Sequence, residues 1–170
     1  MRNTITTILT AAVFLLVAQG RGLASPFDYF AGSWECTTDA GSKTFLLYHP
    51  VLNNAWLVLE NTWVNPPAQA VGEFIEYYRY DQVNGKWWAT SMGSSGLLEV
   101  TSSPDWKNDQ LVFEGSANFP GGSFGTRERY TRWKDGVTLE RQHEQLTGFG
   151  WTKTSHSLCH RAKQLGHASP

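Results

Sequence analysis

The sequence predicts an all-β protein, a closed or nearly closed antiparallel up-and-down β-barrel of about ten strands led by a short N-terminal helical turn. Three observations carry that prediction. From Gly32 onward, runs rich in Trp, Tyr, Phe, Val and Thr are broken about every ten residues by Gly, Asn, Asp or Pro, the punctuation of successive short strands. No stretch after residue 25 keeps a helical apolar period for three turns. Aromatic residues make up 14% of the chain, with eight Trp, against 17% charged residues. That composition excludes disorder and supplies a dense aromatic interior.

The elements follow in order. Arg2 precedes an apolar run from Ile8 to Ala18 and then small residues, the pattern of a signal peptide. Gly22-Leu23-Ala24 places the cut before Ser25, with Ala18-Gln19-Gly20 as the alternative site. The apolar run is about half of the ~20 residues a spanning helix needs, so no membrane span is expected in the mature form. Residues 1–24 are therefore expected to be removed, leaving 25–170 as one domain that is periplasmic or secreted. Without Arg2 and Arg21, 12 basic residues face 15 acidic ones, a net charge of −3 that argues against nucleic acid as a partner.

Residues 26–31 form one helical turn that plugs an end of the barrel. Strands are expected at 33–38, 44–49, 55–64, 73–80, 86–92, 97–102, 110–115, 126–133, 137–146 and 150–159. Asn84-Gly85, the glycines at both ends of 93–96, and Asp135-Gly136 mark hairpin turns. The longer connections 65–71, with Pro66-Pro67, and 118–123, with Pro120-Gly121-Gly122, are where a mouth or lid is expected. An open sheet of this size leaves two edges unpaired, and closure removes both.

The chain has two cysteines, Cys36 near the mature start and Cys159 near the end. In an exported protein they read as a disulfide, two free buried thiols being the alternative. If the first and last strands pair antiparallel with Cys36 opposite Cys159, same-face positions step by two in opposite directions, and Trp34 falls opposite Arg161. A guanidinium over an indole is a favourable cation–π arrangement.

Gly32-Ser33-Trp34 after a short N-terminal turn, with Arg161 from the last strand, resembles the lipocalin and calycin barrels. A closer resemblance is to secreted bacterial lipocalin-like proteins of an uncharacterised group in that superfamily. It runs through Phe30-Ala31-Gly32-Ser33-Trp34, Tyr80-Asp81, Ser103-Pro104-Asp105-Trp106 and Cys159-His160-Arg161. The resemblance implies that Trp34 closes the barrel floor with Arg161 packed across it, and it implies no activity. The related nitrobindin-like haem barrels carry glycines after the Gly-x-Trp, where this chain has Glu35-Cys36-Thr37. Their haem ligand is a histidine near the C-terminus. His156 and His160 fall on the face opposite Trp34, so haem is disfavoured and no cofactor is expected.

High-specificity signatures of enzymes are absent, and His143-Glu144 lacks the second histidine of a zincin, so no metal site is expected. The Asp135-Gly136 hairpin pairs Glu128 with His143, Tyr130 with Arg141 and Arg132 with Leu139, leaving Arg127 with Glu144 and Arg129 with Gln142 on the other side. We read the first face as the lumen, which makes Tyr130, Arg141, His143 and Glu128 candidate ligand-binding residues. His143 beside Glu128 is also a candidate acid–base pair. Trp87 and Trp88 face opposite sides, with Tyr80 opposite Trp87 and Arg79 opposite Trp88, a second cation–π candidate. The expected function is binding of a small, partly apolar molecule in the lumen. The alternatives are an enzyme with acid–base or isomerase chemistry at His143 and Glu128, and a filled scaffold that binds partners through its loops. The oligomeric state is not encoded in any motif.

Overall fold

The structure, a computed structural model, describes residues 25–64 and 73–162. The expected signal peptide (1–24) and the connection at 65–71 lie outside the described residues. Ten strands form: β1 (Gly32–Thr38), β2 (Lys43–Val51), β3 (Trp56–Trp63), β4 (Phe74–Asp81), β5 (Lys86–Gly93), β6 (Leu98–Pro104), β7 (Gln110–Phe119), β8 (Gly122–Arg132), β9 (Thr138–Thr147) and β10 (Gly150–Arg161). Each pairs antiparallel with its sequence neighbour, and β1 pairs with β10, so the sheet closes into a barrel.

Closure takes the expected register. Cys36 lies opposite Cys159 and is disulfide-bonded to it, and Trp34 lies opposite Arg161. The Arg161 guanidinium sits 4.4 Å from the Trp34 ring centroid and donates to the carbonyls of Ala31 (2.5 Å) and Tyr29 (2.7 Å). The Trp34 indole donates to the Phe30 carbonyl at 2.7 Å. The hydrogen-bonded turns of residues 26–31 therefore hand their outward-facing carbonyls to the closing strands. In return, Phe27 and Phe30 enter the barrel, where both are buried. Tyr48, Tyr78, Trp87 and Tyr130 pack around Phe30, and Phe113 packs against Tyr78, Trp87 and Tyr130, all at most 1% exposed. This half of the barrel is solid.

Turn chemistry sets the remaining registers. Gly136 (φ 71°) and the Asp135 carboxylate, which accepts from the amides of Val137 and Thr138 and from the Thr138 hydroxyl, turn the chain between β8 and β9. The pairs Glu128–His143, Tyr130–Arg141 and Arg132–Leu139 result. The β4–β5 hairpin pairs Tyr80 with Trp87 and Arg79 with Trp88. Trp87 is the inward member of its dipeptide at 0% exposure, and Trp88 faces out at 42%.

Two expectations are corrected. The segment 118–123 is not a long connection, because β7 and β8 run on to a Phe119–Gly122 pair. Pro120 fixes one φ of the remaining two-residue turn and Gly121 (φ 116°) supplies the other, so no lid forms there. Arg79 does not lie over Trp88. Its guanidinium leans towards Trp56 on β3 (5.9 Å), while Lys86, two residues along the same strand face, covers Trp88 at 4.4 Å.

Replacing Arg161 by Ala removes a cation–π contact and two charge-assisted hydrogen bonds, with an expected loss of about 3 kcal/mol in urea unfolding. Replacing both cysteines by Ala is expected to lower stability by about 4 kcal/mol, since the bond closes most of the domain. Reductant should then shift the unfolding midpoint of the wild type and leave that of the double variant unchanged.

Candidate functional site

Above the aromatic half, the inward face changes character. Strict alternation along β4, β6, β8 and β9 carries Glu76, Glu99, Thr126, Glu128, Arg141 and His143 into the same part of the lumen. The Tyr78 and Tyr130 hydroxyls, 2.7 Å apart, form the boundary, and the Tyr78 hydroxyl also donates to the Glu76 carboxylate. Arg141 lies across this boundary. It donates to Glu128 Oε1 from Nη2 (2.5 Å) and Nε (3.1 Å), comes within 3.6 Å of Glu76 Oε1, and lies 5.3 Å from the Tyr130 ring centroid. The Arg141 and Glu128 side chains retain 13% and 14% exposure, and His143, nearer the mouth, retains 29%.

Glu128 faces His143 in the register, yet the two do not form the expected acid–base pair, because Arg141 takes the Glu128 carboxylate. His143 turns to Thr126 (Nε2 to Oγ1, 2.8 Å) and Thr154 (Nδ1 to Oγ1, 2.8 Å), with Glu99 Oε1 at 3.8 Å. The protons of both hydroxyls are already committed, that of Thr126 to Glu99 Oε1 (3.0 Å) and that of Thr154 to the His143 carbonyl (3.1 Å). With the hydroxyls so oriented, each can accept from the ring, and both ring nitrogens have an oxygen to donate to. This arrangement accommodates an imidazolium. Burial works against that charge, but Glu99 and Glu128 outweigh it and hold the His143 pKa above its usual value.

Glu76 is perturbed in the opposite sense. Burial, reinforced by the nearby Glu128 charge, pushes its pKa from 4.5 up to about 7, against the pull of Arg141 and Tyr78. Burial also raises the Tyr48, Tyr78 and Tyr130 hydroxyls above the usual phenol range. Tyr48 is 1% exposed, and its hydroxyl has no hydrogen-bond partner among the described residues. With Glu76 protonated, two cations and two carboxylates remain, and the site is close to neutral.

Tyr130, Arg141, Glu128 and His143 thus share one chamber, with Tyr130 in its floor. Glu76, Glu99 and Thr154 were not singled out by the sequence. Glu76 was within reach, since it lies two and four residues from Tyr78 and Tyr80 on the Trp87 face. Thr154 was not, because it enters through a β-bulge between Lys153 and Ser155 that no residue type announces. His156 and His160 sit on the outer face. His156 bonds Asp39 (2.6 Å) and Glu140 (3.0 Å), and His160 bonds Thr138 (3.2 Å). The outer face of β7 to β9 carries the ionic ladder of Arg127, Arg129, Glu114 and Glu144.

No protein-family model matches the chain, and no curated protein matches it. Among solved structures it is similar to EF1p2_mFAP2b bound to DFHBI, at 9% identity over 81% of this chain and 98% of that one, with a TM-score of 0.34. It is also similar to a protein of unknown function from the DUF3598 family of Nostoc punctiforme PCC 73102, at 10% identity over 81% and 98%, with a TM-score of 0.20. Likenesses this distant carry no argument about what the lumen holds.

Because folding raises the Glu76 pKa, the folded state holds this proton more tightly than the unfolded chain. The stability it contributes is full below pH 4.5 and is lost as pH rises towards 7. Between those limits the wild type is expected to lose about 3 kcal/mol relative to Glu76→Gln, read as the divergence of their urea midpoints.

Proposed function

We propose that this chain is an exported, lipocalin-like barrel that binds a small, partly apolar molecule in the polar half of its lumen. The observation that carries the reading is the placement of Arg141, Glu128, Glu99 and His143 inside the barrel, above an aromatic floor that already fills the other half. Charges taken out of water cost more than apolar filler of the same volume, so a scaffold has no use for them. A binding site does, because fixed donors and acceptors orient a polar group. The half-buried Phe74 and Phe124 share the inward face nearer the mouth and supply a wall for the apolar part of a ligand. The solid floor supports a ligand seated near the mouth, not one threaded along the barrel axis. The acid–base alternative is less well supported, because Glu128 is bonded to Arg141 and not to His143.

Native mass spectrometry of the protein purified from an exporting host, with an absorption spectrum, tests the proposal. A retained small molecule that is lost from His143→Ala and from Thr126→Val, both still folded, is the expected result. A bare mass, together with no change in Tm across a library of small polar-headed compounds, would assign the chamber to scaffold.

A further inference from the structure

The wall of the barrel parts between β3 and β4 at their mouth ends. The two strands pair from Leu57–Tyr78 to Glu60–Ile75, and the next two pairs in that register, Asn61–Phe74 and Thr62–Glu73, do not form. Each strand end follows its other neighbour instead. The end of β3 stays on β2 through the Trp63–Thr44 pair and the Val64 amide, which donates to the Lys43 carbonyl at 3.0 Å. The start of β4 stays on β5 through the Phe74–Gly93 pair and the Glu73 carbonyl, which accepts from the Ser94 amide at 2.9 Å. A hollow of about 370 Å³ opens where the two part, lined by Glu60, Asn61, Glu73, Phe74, Ile75 and Met92.

Strand alternation shows that this hollow crosses the wall. Asn61 and Phe74 belong to the inner face. Asn61 lies opposite the buried Leu46, and its carboxamide accepts from the buried Thr44 hydroxyl at 2.8 Å. Phe74 is followed on its own face by the buried Glu76. Glu60, Ile75 and Met92 belong to the outer face, where Met92 is 43% exposed. Side chains from opposite faces of a sheet line one hollow only across an opening in the sheet. Its inner end is therefore the chamber, where the cross-strand row Glu76, Ser91 and Glu99 comes next along the wall. At its outer end stand the exposed carboxylates of Glu60 and Glu73. Glu60 has His49 Nε2 at 3.8 Å, and among the described residues no Lys or Arg lines the hollow.

We propose that the chamber takes its ligand through this opening, and that the ligand is an apolar amine whose ammonium is held at the rim by Glu60 and Glu73 while its body lies on Phe74. The inference rests on the reading of the chamber as a binding site, and adds where the ligand sits and what charge it carries. The hollow is at the small end of the range for small-molecule sites and suits one aromatic or short alkyl group. Phe74, Ile75 and Met92 supply the apolar contacts, the Met92 thioether adapting to the edge of a ring. A carboxylate ligand would meet like charges at the rim and Glu76 and Glu99 behind it. An uncharged one would leave both rim carboxylates unused. A concave surface that carries acids alone draws in a cation and turns away an anion.

Isothermal titration calorimetry with phenethylamine, phenethyl alcohol and phenylacetate, three probes of one size and different charge, reads the outcome. The amine is expected to bind about tenfold more tightly than the alcohol, each partly exposed carboxylate contributing a few-fold, and phenylacetate more weakly than either. Glu60→Gln combined with Glu73→Gln should bring the amine to the affinity of the alcohol and leave the alcohol unchanged. Both positions are exposed, and near-ultraviolet circular dichroism checks that the fold is kept. Met92→Trp, also at an exposed position, fills the hollow and should abolish binding of the amine. An alcohol or acid that binds as tightly as the amine overturns the proposal, as does a double variant that keeps the preference or a Met92→Trp variant that binds the amine unchanged. Each of these leaves the chamber itself standing as a binding site. No binding by any probe up to about 10 mM, beyond the range expected for fragments of this size, also overturns it. The chamber is then judged separately, by the molecule retained in native mass spectrometry.

Discussion

Everything in this molecule depends on the seam between β1 and β10. A ten-stranded sheet that fails to close offers two unpaired edges, and no described helix covers either. Arg161 holds the seam at three points: it faces Trp34 across the ladder, covers the indole, and binds the carbonyls of Tyr29 and Ala31. Those carbonyls belong to the turn that drives Phe27 and Phe30 into the barrel. Closure and filling are therefore one event, and the disulfide two residues along each strand adds a covalent bond to a register already set by packing.

The solid floor explains why the charged chamber is affordable. Phe30, Trp34, Trp87 and their neighbours supply apolar burial on a scale that tolerates several ionisable groups above them. The cost of those groups is further reduced by mutual compensation. Arg141 is bound by Glu128, His143 stands near Glu99, and Glu76 relieves the remaining excess of negative charge by holding its proton towards neutrality. The chamber thus holds several charges but little net charge, which suits recognition by hydrogen bonding more than by net charge.

How much of this was legible in the sequence follows from how far each feature lies from a turn. The pairings of Glu128 with His143 and Tyr80 with Trp87 were readable because Asp135-Gly136 and Asn84-Gly85 fix the register nearby. The Trp34–Arg161 pair was readable because two cysteines mark the seam. The partners of His143 were not. Glu99 reaches it from β6 across two intervening strands, and Thr154 reaches it through a bulge, so neither follows from a single hairpin. The tight turn at Pro120-Gly121 was misread as a loop because Gly and Pro alone do not reveal whether the flanking strands continue. The Glu128–His143 pairing was legible, but Arg141's capture of Glu128 was decided by geometry within the chamber.

The seam also orders events in time. Cys36 and Cys159 are 123 residues apart, and the strands that carry them are the first and last of the sheet. Nine hairpin or near-neighbour pairings can zip up as the chain emerges, but the tenth cannot begin until the final strand has appeared. Until then β1 waits with one edge bare, and the aromatic plug attached to it has no Arg161 to anchor its carbonyls. Such a high-separation contact places this barrel among slow-folding topologies. Throughout that delay, Glu35 stands as a charge on the waiting strand, a modest deterrent to pairing with a neighbour's edge.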